Sequence, residues 1–251
     1  MTARTAEIIA HRGASADAPE NTVSALRLGY AQGAHGGEVD VHLTKDGHVV
    51  VIHDPDLRRV AGADARVADL TLTELRQFDV GRFGRWAGRG FSENVPTLDE
   101  ILALVPAGKK LFVEVKTGTE LLPALDAALR RSTLSPQQTS IITFDYAVAS
   151  AVKGRLRQHL VYWLHEFLRD RPNPAIDDLI RAAEQAGLDG LDLDHEFPLD
   201  AAAIRRVHDA GLAIYVWTLD DAIKARRLAR DGIDGITTNR PGEMSGWLNE
   251  R

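Results

Sequence analysis

The sequence predicts an α/β protein, a (β/α)8 TIM barrel with a small insertion after a β-hairpin near its second barrel strand. Three observations lead there. Short apolar, often β-branched runs alternate with stretches of helical spacing along the whole chain, which is the rhythm of a parallel sheet. The length, 251 residues, suits one such barrel of roughly 250 residues. Nine strand-like runs can be read, and a tight turn accounts for the one that a barrel of eight does not need.

In chain order the runs are Ile8 to Ala10, Glu38 to Leu43, Val49 to Ile52, Leu111 to Val115, Ser140 to Thr143, Val161 to Leu164, Gly190 to Leu193, Ala213 to Trp217 and Asp234 to Thr237. Helical spacing appears at Val23 to Gln32, Leu98 to Val105, Leu121 to Arg131, Ala175 to Ala186, Ala201 to Ala210 and Asp221 to Arg230. Gly33, Gly187, Gly211 and Gly232 stand where a helix wants a left-handed residue just past its end.

The surplus run is Val49 to Ile52. It follows Leu43-Thr44-Lys45-Asp46-Gly47-His48, and Asp-Gly is a strong hairpin signal. A two-residue turn at Asp46-Gly47 would set His53 opposite Asp40, whereas a loop from Thr44 to Gly47 would set it opposite Glu38. Either register returns an imidazole to the acids, since cross-strand Cβ atoms lie roughly 5 Å apart.

Composition narrows the function. A net charge of −6 and a pI near 5.8 argue against a nucleic-acid surface. With no cysteine, neither a disulfide nor a thiolate metal site can form, which leaves oxygen and imidazole ligands. Between Met1 and His11 only Ile8-Ile9-Ala10 is apolar, too short for the core of an export signal, and no run approaches the length of a membrane span. A cytoplasmic enzyme of one domain, residues 1–251, is expected.

Four pieces carry the chemistry: His11-Arg12-Gly13, Glu38-Val39-Asp40, His53-Asp54 and Glu114-Val115-Lys116. Each ends an apolar run, so each can sit at the tip of a strand where several strands converge. Glu38 and Asp40, two apart, share one face of a strand, and Glu114 and Lys116 repeat the spacing. Carboxylates on the inner face of a barrel are costly without a positive partner, and hard oxygen donors suit Mg²⁺ or Ca²⁺. Imidazole titrates close enough to neutrality to take or give a proton.

The ordered series of motifs resembles the glycerophosphodiester phosphodiesterase family. It runs through His11-Arg12-Gly13, Pro19-Glu20-Asn21-Thr22, Glu38-Val39-Asp40-Val41 with Leu43-Thr44-Lys45-Asp46-Gly47, His53-Asp54, Pro96-Thr97-Leu98-Asp99-Glu100, Glu114-Val115-Lys116 and Trp217-Thr218. The resemblance implies a TIM barrel that hydrolyses small-molecule glycerophosphodiesters to glycerol 3-phosphate and an alcohol with one divalent metal ion, Mg²⁺ or Ca²⁺. It implies Glu38, Asp40 and Glu114 as metal ligands and His11 and His53 as the acid–base pair. Arg12 and Lys116 would hold phosphate oxygens, and 54–95 would be the small inserted cap subdomain that the family carries on its barrel. Trp217, at the end of an apolar strand, is read either as a wall of the glycerol pocket or as a core residue. His35-Gly36-Gly37 departs from the family, which usually has an acidic residue and then apolar strand residues there; two further departures stand out near later strand ends, Asp220 where the family usually has Asn and Asn239 where it often has Asp.

Other readings share these residues. A phosphodiesterase acting on lysophospholipids would use the same site, though no basic amphipathic segment supports it; a non-catalytic phosphate-binding barrel would have no need of two histidines. Asn21 and Thr22 are expected to cap a helix and Glu20 to support Arg12. His42 and His48 are assigned to solvent or to packing against helices, and Asp194-His195-Glu196 to a loop. Seven arginines balanced by seven acids in 54–95, with Phe78, Phe83, Trp86 and Phe91, describe a small self-packed cap.

Overall fold

In a computed structural model, which describes residues 6–249, nine strands form one sheet. They are β1 (Glu7–Ala10), β2 (Gly36–Leu43), β3 (Val49–Val51), β4 (Lys110–Val115), β5 (Thr139–Thr143), β6 (Leu160–His165), β7 (Gly190–Asp194), β8 (Ala213–Trp217) and β9 (Gly235–Thr238). Eight run parallel and close on themselves through β1–β2 and β1–β9, while β3 alone is antiparallel and hangs from β2. The chain is therefore a closed (β/α)8 barrel with a hairpin arm, as the strand count requires. The reading of Met1 to Thr5 lies outside the described residues.

The hairpin closes in neither expected register. Val41 pairs Val51, His42 pairs Val50 and Leu43 pairs Val49, and Thr44 N–H reaches the His48 carbonyl at 2.9 Å. The loop thus has three residues, Lys45 to Gly47, with Gly47 left-handed at φ 84°, the geometry of a turn that ends in a glycine bulge. The odd residue shifts the ladder by one, which would aim His53 away from the acids if the strand continued. It does not continue: after the Ile52 N–H bond to the Asp40 carbonyl at 3.0 Å the chain bends, and the bend returns the imidazole to the barrel mouth.

Six helices fall where the spacing places them, for example Val23–Ala31 and Ile176–Gln185, and Tyr146–Arg155 and Pro241–Asn249 add two more. All four expected glycines are left-handed, with φ between 65° and 99°. Thr22 caps the helix Val23–Ala31 by accepting from Ala25 N–H, and Thr97 with Glu100 forms a capping box at Leu98–Leu104. That helix Val23–Ala31 lies close on β2 because Gly37 has no side chain: a Cβ there would come within 2.4 Å of Leu26.

Two apolar layers and a plug make the core. Alternate barrel residues such as Val39, Val113, Ile141, Leu191 and Ile214 face the helices. Inward, Ile9, Phe112, Ile142, Tyr162, Leu164 and Tyr215 fill the barrel, with Phe112, Tyr162 and Tyr215 in mutual ring contact at 5.1–5.8 Å. This aromatic plug is the floor of the site. Between β3 and the helix Leu98–Leu104, Leu57, Val67, Leu75, Val80 and Val95 pack around Val50 and Ile52 of the hairpin arm.

Candidate active site

The C-terminal ends of the strands open into a cavity of ≈ 270 Å³ that His11, Arg12, Glu38, His53, Glu114, Lys116 and Trp217 all line. Asp40, fully buried, lies directly behind. Glu38, Asp40 and Glu114 each bring one oxygen within 4.8 Å of the others. Register explains the convergence: β2 pairs β4 so that Asp40 sits beside Glu114, and both point inward with Phe112 beneath them.

Bringing three buried acids together disturbs their protonation. Burial, then Asp40 and Glu114, push Glu38 well above the usual carboxylate range. Burial and Asp40 push Glu114 up to about 7. Asp40 stays below the usual range, because Arg12, His53, Lys116 and Asn21 together outweigh its burial. Even so, Glu38 Oε1 and Asp40 Oδ1 are buried without a hydrogen-bond partner.

The cations lie around this cluster. Arg12 Nε is 3.1 Å from Asp40 Oδ2, and its backbone N–H donates to Glu38 Oε2 at 2.8 Å. Lys116 Nζ donates to Glu114 Oε1 at 2.8 Å, lies 3.6 Å from Asp40 Oδ1 and reaches His53 Nε2 at 3.1 Å.

Asn21 is not a helix cap. Its side-chain Nδ2 donates to Asp40 Oδ2 at 2.7 Å and its Oδ1 accepts from Asp40 N–H at 3.2 Å, so it clamps the central acid. Arg12 and Asn21 are the non-glycine residues with positive φ among those described, 54° and 58°. Such backbone costs about 1–3 kcal/mol per residue and persists where the surroundings impose it. Here it serves the contacts to Glu38 and Asp40. Gly13, at φ 82°, follows because a Cβ would collide with Ala25 at 2.4 Å.

Each histidine is held from behind. His53 Nδ1 bonds Asp54 Oδ1 at 2.6 Å, and Arg59 bridges Asp54 at 2.6 Å to Glu20, which also accepts from Arg12 at 3.0 Å. Glu20 thus supports Arg12, and Arg59, which carried no signal of its own in the sequence, links both motifs. His42 corrects its assignment: it shares the alternation of Glu38 and Asp40, is buried, and donates from Nε2 to the His53 carbonyl at 3.0 Å. His11 Nδ1 meets Asn239 Oδ1 at 2.8 Å, while Asn239 Nδ2 donates to Asp220 Oδ2 at 2.7 Å. These two departures from the family pattern are therefore in direct contact. Burial first, then Arg12, hold His11 down to about 4; burial likewise lowers His53, against the pull of Asp40.

The opposite wall is built from Leu164, Trp217 and Asp192, and Ile142 and Phe144 join it to the charged side, Ile142 as the register partner of Glu114 and Phe144 with its ring centroid 5.9 Å from Lys116 Nζ. Trp217 is half-buried, meets Phe144 edge to face at 5.3 Å and donates to the Asp192 carbonyl at 3.1 Å. Asp192 drew no attention in the sequence, although it alternates with Asp194 in Gly190–Asp194; burial, then Glu114, push it up to about 8. His195 and Glu196 lie in the loop after β7, paired with Lys224 at 3.1 and 3.4 Å.

Fold and site together define a TIM-barrel enzyme of the phosphoric diester hydrolase class. Residues 11–243 match the glycerophosphoryl diester phosphodiesterase family, and the chain belongs to it. It is 31% identical over 250 residues to a glycerophosphodiester phosphodiesterase of Caldanaerobacter subterraneus, covering 93% of this chain and 94% of that one. Among solved structures it is similar to an Oleispira antarctica phosphodiesterase in complex with the product sn-glycerol-3-phosphate, with TM-score 0.86, 25% identity and 98% of each chain covered. The Thermotoga maritima glycerophosphodiester phosphodiesterase aligns with TM-score 0.78 and 27% identity over 96% of this chain and 97% of that one.

Proposed function

We propose that the protein hydrolyses glycerophosphodiesters to glycerol 3-phosphate and an alcohol, with one Mg²⁺ or Ca²⁺ ion and with His11 and His53 as the proton-transfer pair. The observation that carries this is the convergence of three buried acids, two cations and two separately braced imidazoles on one cavity. Family membership supports it.

The acids fit a hard divalent cation. Glu38 Oε1 and Asp40 Oδ1 are buried without a hydrogen-bond partner, Asp40 Oδ1 having only Lys116 Nζ at 3.6 Å, all donors are oxygens, and like charges this close need a compensating positive charge. Bound by Glu38, Asp40 and Glu114, such an ion supplies Lewis-acid charge neutralisation to the anionic diester. Arg12 and Lys116 grip the non-bridging phosphate oxygens beside it.

The bracing supports different roles for the two histidines. Asn239 turns its Nδ2 to Asp220 Oδ2 and its Oδ1 to His11. An amide oxygen only accepts, so His11 carries its proton on Nδ1 and offers Nε2 as a base. His53, backed by the carboxylate of Asp54, is the imidazole better able to hold a second proton. His11 takes the proton of the attacking oxygen as it bonds to phosphorus, the bond from phosphorus to the alcohol oxygen breaks, and His53 protonates the departing oxygen. The attacking oxygen belongs to water, which gives glycerol 3-phosphate directly, or to the substrate's own 2-hydroxyl, which gives a cyclic phosphate that water then opens in a second step; a 2-deoxy diester separates these, since fast turnover excludes internal attack. Residues 54–95 act as a cap subdomain that carries Asp54 and Arg59 into the site.

Release of glycerol 3-phosphate from glycerophosphocholine tests the reading. Chelator is expected to abolish it, and His11→Ala and His53→Ala each to lower kcat by about 10²–10⁴. Metal-independent turnover, or full activity in both variants, overturns the mechanism.

A further inference from the structure

The proton-transfer scheme makes no use of Asp192, yet Asp192 is the most anomalous side chain in the barrel. Its register partners are Leu164 on β6 and Tyr215 on β8, both members of the apolar plug, and register partners share a face of the sheet. Asp192 therefore points into the barrel at a level where bulky branched residues normally fill the layers. It is 1% exposed, lines the cavity, and its Oδ1 has no hydrogen-bond partner.

Neither flanking neighbour relieves it. Leu164 cannot, and the Tyr215 hydroxyl is spent on Glu7 Oε2 at 2.9 Å. Trp217 donates to the backbone of Asp192 and leaves the carboxyl alone. The charge that bears on it is another acid, Glu114. Buried polar groups without partners are rare because they are costly; one that faces a cavity has its missing partner in the ligand.

Its surroundings define that partner. Leu164 and Trp217 offer carbon-lined wall on the side of the cavity away from the acid–cation cluster, and Ile142, the register partner of Glu114, continues that wall toward the acids. A single acceptor set in such a wall suits a short polyol, whose CH groups lie on the apolar surface while a hydroxyl reaches the carboxyl. Depth favours the half of the substrate that stays inside: Asp192 sits level with the plug, whereas Glu166, the other acid on this side, is exposed at the rim past the end of β6. The leaving alcohol varies and departs through the mouth.

Resting on the activity proposed above, we propose that Asp192 accepts a hydrogen bond from the primary hydroxyl of the glycerol moiety, the one farthest from phosphorus, and so selects glycerol esters over esters of shorter or deoxygenated alcohols. Its position on a rigid strand, with its main chain tied to Trp217, fixes that acceptor relative to the cation cluster across the cavity.

The test is a comparison of kcat/KM for glycerophosphocholine and for the phosphocholine ester of propane-1,2-diol, which lacks the primary hydroxyl, in wild type, Asp192→Leu and Asp192→Asn. Wild type is expected to favour the glycerol ester by about 10² or more, because a site built for a hydroxyl is left with an unpaired polar group when it is missing. In Asp192→Leu the two values converge to within about threefold; Asp192→Asn, which keeps an acceptor, retains an intermediate preference. Melting temperatures in chelator show that the variants fold, with Asp192→Leu no less stable than wild type. An unchanged preference in Asp192→Leu overturns the proposal, as does an equal loss on both esters, which would mean a general positioning role. A loss that follows the charge of the alcohol, read with a methyl ester of glycerol phosphate, would make Asp192 an ammonium site, and a changed metal requirement would make it a ligand; each also overturns it. If wild type releases no glycerol 3-phosphate from any diester, the underlying activity fails, a result distinct from active enzyme with an unaltered preference.

Discussion

The two sides of the barrel mouth are made by opposite rules. On the side of β1, β2 and β4, the inward positions above the plug are His11, Glu38, Asp40, Glu114 and Lys116, and the backbone is forced into left-handed conformations at Arg12 and Asn21. On the side of β5 to β8 the corresponding positions are Ile142, Leu164 and Trp217, with Asp192 the buried exception. The first side is a network whose members are buried against one another, so each depends on the rest. The second obeys ordinary core packing and supplies shape. The contrast teaches where strain and support part company: the charged side holds its backbone in left-handed conformations to bring acids and cations together, and the apolar side with its aromatic plug supports the fold.

The largest effect expected from that division is on turnover. Asp40→Asn keeps the shape but removes the central charge of the acid cluster, and kcat/KM for glycerophosphocholine is expected to drop by about 10⁴, equivalent to about 5 kcal/mol of transition-state stabilisation. Leu164→Val, on the far wall of the cavity, is expected to stay within about threefold. Comparable losses in the two variants would erase the distinction. Stability should show the reverse order. Phe112→Ala opens the plug and is expected to cost about 3–5 kcal/mol in denaturant unfolding, whereas Glu38→Gln in chelator relieves like-charge repulsion and is expected to unfold at an equal or higher denaturant concentration.

The charged side also has a pH signature. Glu114 titrates at about 7 in the folded protein against 4.5 as its ordinary value, so between these limits the folded state binds more protons than the unfolded. Stability in chelator is therefore expected to be greatest below about pH 4.5 as far as this group is concerned, to fall as pH rises toward 7, and to level off above, by up to about 3 kcal/mol. Saturating Mg²⁺ or Ca²⁺ favours the ionised carboxylate and should flatten that slope. Thermal melting across this range with and without the ion decides it; an identical slope in both conditions would show that the acids are not the ion's site.

How much of this was legible in the sequence follows from the same division. The barrel was, because strand runs and helical spacing are local signals and the surplus run carried its own turn. The principal polar residues were too, since charge at the end of an apolar run conflicts visibly with burial. The register of the hairpin was not, because Asp-Gly signals a turn without counting its residues, and three in the loop rather than two or four reverses the face. Asn21 resembled a cap since it precedes one; its amide reaches Asp40 through a left-handed backbone that only the three-dimensional contact requires. Arg59 joins Glu20 to Asp54 across 39 and 5 residues of chain, a relation no local pattern holds. Asp220 and Asn239 stand 19 residues apart in the chain, and their side chains are hydrogen-bonded to each other, a contact no local pattern shows.

Asn21 offers the finest test of the charged side, because its two contributions oppose each other. Its amide holds both the carboxylate and the N–H of Asp40, and outer-shell contacts of this kind are typically worth about 10–100-fold in metal affinity. Its φ of 58° is strained for most side chains and easy for glycine. Asn21→Ala should lose the clamp and keep the strain, so that ion affinity falls about 10–100-fold and the chelated protein becomes less stable. Asn21→Gly should lose the clamp and relieve the strain, with the same fall in affinity but a stability above that of the alanine variant. Calorimetric titration of Mg²⁺ or Ca²⁺ gives the first quantity and melting in chelator the second. If glycine recovers affinity as well as stability, the backbone conformation and not the amide positions Asp40, and the strain on this side of the mouth acts directly on the acid cluster.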